Sequence, residues 1–99
     1  MEIMKVTSAN FEEEVLNSDK TVLIDFYADW CGPCKMLGSV LEKLDYNVVK
    51  INTDNYPELA HKFAVISIPT VLIYKNGTNV SKFIGFRSKE EIENIIKDI

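Results

Sequence analysis

Residues 21–35 place tighter limits on the fold than any other stretch of the chain. Residues 21–27 are apolar, β-branched or aromatic except for Asp25, a composition typical of a strand that is buried on both faces. A short turn follows, and Cys31 and Cys34 come where a helix can begin. The sequence therefore predicts a central strand that leads directly into a helix with a cysteine pair in its first turn.

The position of the two cysteines predicts their reactivity. Pro33 lies between them, and proline suits the first turn of a helix because its missing N–H would have no partner there. Unpaired N–H groups and the positive end of the helix dipole stabilise an anion, so the Cys31 thiolate should form more readily than that of a free cysteine. Cys34 can close a small ring with Cys31 but should be less exposed. Such a pair is suited to attack on disulfides.

Two other interpretations of the cysteine pair are a structural disulfide and half of a zinc site. A zinc site needs about four ligands, yet the chain has no third cysteine, and its single histidine, His61, falls in a different helical segment. A secreted scaffold held by disulfides would need more cysteines. The favoured interpretation is a pair that stays reducible in a reducing compartment.

Two charged residues lie within segments that otherwise have the pattern of buried strands. Asp25 is flanked by apolar residues on both sides, where burial would raise the pKa of its carboxyl group. It is predicted to accept a proton from Cys34 during the exchange, directly or through one water; an edge position facing water is the alternative. Lys50 lies in the apolar segment 48–52 and could face Asp25 and tune its proton affinity, or it could be a solvated lysine at a strand end.

Composition and charge limit the remaining possibilities. At 99 residues and 46% apolar content, the chain is predicted to form a single domain over residues 1–99. The net charge of −4 and the absence of a Lys/Arg cluster argue against nucleic-acid binding. We expect neither a targeting segment nor a membrane span, because the apolar runs are too short, and we expect the protein in the cytoplasm.

The remaining segments predict an α/β protein in which strands and helices alternate before a final hairpin. Strands are predicted at residues 3–6, 21–27, 48–52, 70–75 and 80–84. Helices are predicted from Thr7 or Ser8 to about Asn17, from the cysteines onward with Leu37, Leu41 and Leu44 facing inward, at residues 57–63, and after Ser88 with Ile92, Ile95, Ile96 and Ile99 as its apolar stripe. Asn76-Gly77 indicates a hairpin whose loop we expect to include Thr78 and Asn79.

The run Trp30-Cys31-Gly32-Pro33-Cys34-Lys35, with Asp25 six residues before the first cysteine, resembles the thioredoxin family. The resemblance extends over nearly the whole chain. It implies the thioredoxin fold, a central mixed sheet of about five strands flanked on both faces by four helices. It also implies a docking surface around the exposed sulfur, formed by Trp30, Gly32, Pro33, Ile68, Pro69 and Gly85. The Ile68-Pro69 bond is expected to be cis on this resemblance alone; an ordinary turn proline is the alternative.

The resemblance further implies a protein disulfide reductase. Cys31 would attack a disulfide of a target protein and Cys34 would resolve the mixed disulfide, with Asp25 and Lys50 assisting. No bound cofactor or metal is implied, only the redox-active disulfide Cys31–Cys34. Expected partners are a flavoprotein thioredoxin reductase and targets such as ribonucleotide reductase, peroxiredoxins and methionine sulfoxide reductase, with the protein acting as a monomer. A dedicated partner of one enzyme system and a non-catalytic binding module are the alternatives.

Four features depart from the usual pattern of this family. Ser39 stands where a helix-kinking proline is usual, Ser67 where a glycine often precedes Ile-Pro, and Tyr27 where tryptophan is common. The segment at residues 44–48 is several residues short, which implies a trimmed second helix. None of these changes touches the sulfur chemistry.

Overall fold

The computed structural model describes the backbone of residues 3–5, Val15, and residues 20–99. These residues form five strands and three helices. The strands are β1 (Ile3–Lys5), β2 (Thr21–Tyr27), β3 (Asn47–Asn52), β4 (Thr70–Lys75) and β5 (Thr78–Ile84). The helices are α1 (Gly32–Leu41), α2 (Pro57–Lys62) and α3 (Lys89–Lys97). Val15 is buried; the rest of the helix expected between Thr7 or Ser8 and Asn17 lies outside the described residues.

The strands form one mixed sheet in the order β1-β3-β2-β4-β5. Strands β1 and β2 both run parallel to β3, while β4 runs antiparallel to β2 and to β5. Strand β2 is therefore central, which explains why its five inner residues are all buried. In this register Asp25 lies opposite Lys50 on one side and Val71 on the other.

Successive residues of β2 face opposite sides of the sheet and enter two separate cores, as the two-residue period of a strand requires. One core contains Val22, Ile24 and Phe26 and is covered by Leu59 of α2. The other contains Leu23 and is covered by α1 and α3. Asp25 lies two residues after Leu23 and so faces the side covered by α1.

The helices follow their local signals closely. Helix α3 begins at a capping box: the Ser88 hydroxyl accepts a hydrogen bond from the Glu91 N–H, and the Glu91 carboxylate accepts one from the Ser88 N–H. Ile92 is fully buried, but Ile99 is 38% exposed, so the apolar stripe predicted for this helix does not extend to its last member. Helix α1 ends at Leu41. The predicted core residue Leu44 lies in the turn that follows, and its side chain is buried.

The hairpin between β4 and β5 is tighter than predicted. Thr78 pairs with Lys75 and Asn79 with Tyr74, so both residues belong to β5 and the loop consists of Asn76 and Gly77 alone. Both loop residues have positive φ, 53° and 75°, as the two-residue turns of hairpins require. The register shifts by one residue between Ile73, which lies opposite Ser81, and Tyr74, which lies opposite Asn79, so Val80 is the extra residue of a bulge in β5.

No helix in the described part of the chain is long and apolar enough to cross a membrane.

Candidate active site

The two cysteines lie at the junction between β2 and α1 and are joined in a disulfide. Cys31 is the N-cap of α1, in an extended conformation (φ −95°, ψ 110°), and Pro33 occupies the first turn as predicted. Their Cα atoms are 5.2 Å apart. Cys31 is 6% exposed and Cys34 2%. Cys34 is therefore the less exposed of the two residues, as the sequence predicted.

The backbone of α1 is arranged to stabilise negative charge on Cys31. The N–H of Cys34 donates a hydrogen bond to the Cys31 Sγ over 3.2 Å. The first turn of the helix contains no acidic residue that would oppose an anion there. In the reduced protein, this N–H and the positive end of the helix dipole would favour the thiolate of Cys31.

Asp25 is fully buried beneath α1, and neither of its carboxylate oxygens has a hydrogen-bond partner among the described residues. An ionised carboxylate without partners is costly in such a place. Burial accordingly raises the pKa of Asp25 to about 6, although the positive charge of Lys50 acts in the opposite direction. The edge position facing water, the alternative considered for Asp25, is therefore wrong.

Lys50 faces Asp25, as one of its two interpretations required. Its Nζ lies 3.9 Å from the Asp25 Oδ2 and 4.5 Å from the centre of the Tyr27 ring. The lysine side chain is 23% exposed and that of the aspartate 0%, so Lys50 reaches in from the solvent side. The pair is held by the parallel register of β2 and β3, which places the two residues opposite each other.

A rim of exposed residues surrounds the cysteines. Trp30 is 72% exposed, and its indole N–H donates to the Asp54 carboxylate over 2.9 Å. Asp54 is itself held in place, because its N–H donates to the Asn52 side-chain oxygen. Gly32 and Pro33 are exposed in the first turn of α1. The large ring of Trp30 is thus fixed in orientation while it remains open to a partner.

The loop before β4 also reaches the cysteines, with Ile68 half-buried and Pro69 buried. The Ile68-Pro69 bond is cis, as expected, and Ile68 packs against the cluster of Ala28, Cys31 and Cys34. The Pro69 carbonyl accepts a hydrogen bond from the Gly85 N–H over 2.9 Å. The structure therefore brings Ile68, Pro69 and Gly85 together, with Ile68 against the disulfide. Their role in docking stays a prediction.

Two residues of this region were not given a role from the sequence. They are Tyr27 and Gly38. In the structure, Tyr27 packs against the cysteine cluster and contacts the Lys50 ammonium, and Gly38 lies directly over that ammonium. The signal for Tyr27 was available, because residues two apart in a strand share a face and Asp25 precedes it by two.

Metal binding finds no support in the geometry. Within the described residues, no group of three or more histidine, cysteine, aspartate or glutamate side chains is placed to hold a metal ion. A cysteine pair at the start of a helix, with a helix N–H that donates to the Cys31 Sγ, together with a buried carboxylate in the preceding strand, defines a thiol–disulfide oxidoreductase.

Comparisons with known proteins agree with this class. The family model for thioredoxin matches residues 2–98. The chain is 42% identical to a thioredoxin of Mycobacterium tuberculosis, over 97% of this chain and 88% of that one. It is 44% identical to a thioredoxin of Staphylococcus saprophyticus, over 98% and 97% of the two chains. It is also 39% identical to a bifunctional thioredoxin reductase/thioredoxin of Mycobacterium leprae, over 97% of this chain and 22% of that protein.

The chain belongs to the thioredoxin family. It is a thiol–disulfide oxidoreductase whose redox-active pair is Cys31 and Cys34.

Proposed function

We propose that this protein reduces disulfides of other proteins in the cytoplasm, as a monomer, and that a flavoprotein thioredoxin reductase returns it to the dithiol form. The proposal rests on the position of Cys31 at the N-terminus of α1, where the Cys34 N–H donates a hydrogen bond to the Cys31 sulfur. The fusion of a thioredoxin to a reductase in the Mycobacterium leprae relative supports the choice of reductase. Ribonucleotide reductase, peroxiredoxins and methionine sulfoxide reductase remain the expected kinds of target.

In the first step, the Cys31 thiolate attacks one sulfur of the target disulfide. A bond forms between that sulfur and the Cys31 Sγ, the target S–S bond breaks, and the second target sulfur leaves as a thiolate. The exposed rim would receive the target: the Trp30 ring offers apolar surface, and the backbone beside the cis Ile68-Pro69 bond would hydrogen-bond an extended segment of the target.

In the second step, Cys34 resolves the mixed disulfide. Its S–H proton passes to the Asp25 carboxylate, its thiolate attacks the Cys31 Sγ, and the bond from Cys31 to the target breaks. The target leaves as a second thiolate, and two electrons have moved from the cysteine pair to the target. With its pKa raised to about 6, Asp25 is largely ionised at neutral pH yet basic enough to take a proton from a thiol.

Contacts around α1 support this role for Asp25. Leu23 packs with Leu37 and Leu41 beneath the helix, and Asp25 follows two residues later on the same face. Lys50, which lies beside Asp25, also lies directly beneath Gly38 of α1. Both observations support a position for the carboxylate on the side of the sheet that is covered by α1, the helix that carries Cys34.

The test is reduction of insulin disulfides by wild-type protein, Cys31→Ser and Cys34→Ser, with NADPH and a thioredoxin reductase or with dithiothreitol alone. Wild-type protein should reduce insulin both with NADPH and the reductase and with dithiothreitol. Cys31→Ser should do nothing in either, whereas Cys34→Ser should accumulate a mixed disulfide that mass spectrometry detects. Normal turnover by Cys31→Ser would overturn the assignment of the attacking sulfur. A wild-type protein that reduces nothing would favour the non-catalytic binding module.

A further inference from the structure

Three residues surround the Lys50 ammonium, and two of them, Tyr27 and Gly38, have no part in the proposed mechanism. Asp25 lies on one side of it, with the Oδ2 at 3.9 Å. The Tyr27 ring lies on another, with its centre at 4.5 Å, within the range of a cation–π contact. Gly38 lies on a third: a Cβ atom placed on this glycine would be 3.3 Å from the Lys50 Nζ. We call this arrangement the ammonium site.

The residue types of Tyr27 and Gly38 suit their places in the ammonium site. Tyr27 shares a face of β2 with Asp25 and also packs against the cysteine cluster, so its ring is held on both sides. Gly38 is buried in the middle of α1, where alanine would favour the helix more strongly than glycine does. A side chain at this position would crowd the ammonium, because its Cβ would lie closer to the Lys50 Nζ than an ordinary van der Waals contact.

We propose that Tyr27 and Gly38 are positioning residues that hold the Lys50 ammonium beside Asp25 and thereby set the pH at which Asp25 takes up a proton. The inference rests on the proposed function in one respect only, which is the expected effect on the rate at which Cys34 resolves the mixed disulfide. The positioning itself is a property of the folded protein and can be measured without turnover.

The charged groups around Asp25 make its titration a specific readout. Lys50, from β3, is the described cation that faces it. Val71, its neighbour on β4, is uncharged, and the two cysteines do not titrate while they form a disulfide. A change in the distance between the Lys50 Nζ and the Asp25 carboxylate should therefore appear directly in the Asp25 titration.

The direction of the effect follows from the geometry. Lys50 is partly exposed and Asp25 fully buried, so an ammonium that loses its place withdraws toward solvent. A withdrawal of about 0.4 Å from 3.9 Å, at an effective dielectric constant of about 20, raises the Asp25 titration midpoint by roughly 0.3 pH unit. Loss of the ring should allow a larger withdrawal than addition of one methyl group.

The experiment is an NMR titration of the Asp25 carboxyl carbon in oxidised protein. Tyr27→Leu and Gly38→Ala should both raise the midpoint, by at least about 0.3 pH unit for Tyr27→Leu and about 0.3 for Gly38→Ala. Tyr27→Phe keeps the aromatic ring, so the Asp25 titration midpoint of this variant should equal that of the wild-type protein. Gly38→Ala also tests a purely structural role, because better helix propensity alone would stabilise the protein without moving the midpoint.

The decisive control repeats both substitutions in a Lys50→Met background. There the midpoint should no longer respond to Tyr27→Leu or to Gly38→Ala, because the charge that they position is gone. A shift of equal size in that background would mean that the two residues act on the burial of Asp25 and would overturn the proposal. An unchanged midpoint in the Lys50-containing variants would overturn it as well. If the shifts appear but resolution by Cys34 is unaffected, the proposed role of Asp25 fails while the ammonium site stands.

Discussion

Replacement of Asp25 by asparagine should stabilise the folded protein at neutral pH, although it removes the proposed proton acceptor. Burial raises the pKa of Asp25 from 3.8 to about 6, which means that the fold disfavours its ionised form. At 1.36 kcal/mol per pH unit, the rise corresponds to a cost of about 3 kcal/mol once the group is ionised. Asparagine has nearly the same shape and carries no charge.

The sign of the pH dependence follows from proton binding. Between pH 3.8 and about 6, the folded protein keeps the Asp25 proton that the unfolded chain has already lost. The free energy of unfolding contributed by this group therefore falls as pH rises through that window and stays low above it. The difference between Asp25→Asn and wild type should be smallest near pH 4 and should reach its full value, up to about 3 kcal/mol, above pH 7.

The assay is guanidinium unfolding of both oxidised proteins at several pH values from 4 to 8. Asp29→Asn is the matched control, since Asp29 is an exposed carboxylate that follows the same strand. The quantity of interest is how the gain for Asp25→Asn changes with pH. A gain that is the same at pH 4 and pH 8 would show that the fold does not disfavour the ionised carboxylate, and the argument from desolvation would be wrong.

Three further predictions concern kinetics and stability. Asp25→Asn should slow resolution of the mixed disulfide at least tenfold at pH 7 and leave the first attack by Cys31 nearly unchanged, as stopped-flow fluorescence of Trp30 can show; equal slowing of both steps would contradict the proposed role. Ser88→Ala should lower the free energy of unfolding by about 1 kcal/mol in a urea titration, through loss of the N-cap hydroxyl, without a change in insulin reduction. Gly77→Ala should cost about 1 kcal/mol in the same titration, because Gly77 has a φ of 75°, and an unchanged midpoint would argue against that turn geometry.

Local sequence signals were sufficient where a single segment decides the outcome. The strand at residues 21–27, the proline in the first turn of α1 and the capping box at Ser88 are each determined by a few neighbouring residues, and the structure has all three. The hairpin loop was predicted too long because its length depends on register along β4 and β5. That register includes an irregularity that no single residue predicts.

The surroundings of Lys50 were harder to predict because they combine three separate segments. Alternation along a strand limits Lys50 to one of two faces, but the register between β2 and β3 decides which residue it meets. Gly38 adds a third segment, and its importance depends on how closely α1 approaches β3. A glycine in a helix indicates weakness from the sequence alone; only the packed structure shows that the space it leaves is used.

The cost of burying Asp25 and its proposed role as a proton acceptor have one physical origin, which links two independent measurements. Desolvation that makes the ionised carboxylate unfavourable by about 3 kcal/mol is also what brings its pKa close to neutral pH. An exposed aspartate would cost nothing but would be a poor base for a thiol. The pH at which resolution by Cys34 reaches half its maximal rate should therefore agree with the pH at which the stability gain of Asp25→Asn levels off. Any variant that moves one of these values, Tyr27→Leu among them, should move the other in the same direction.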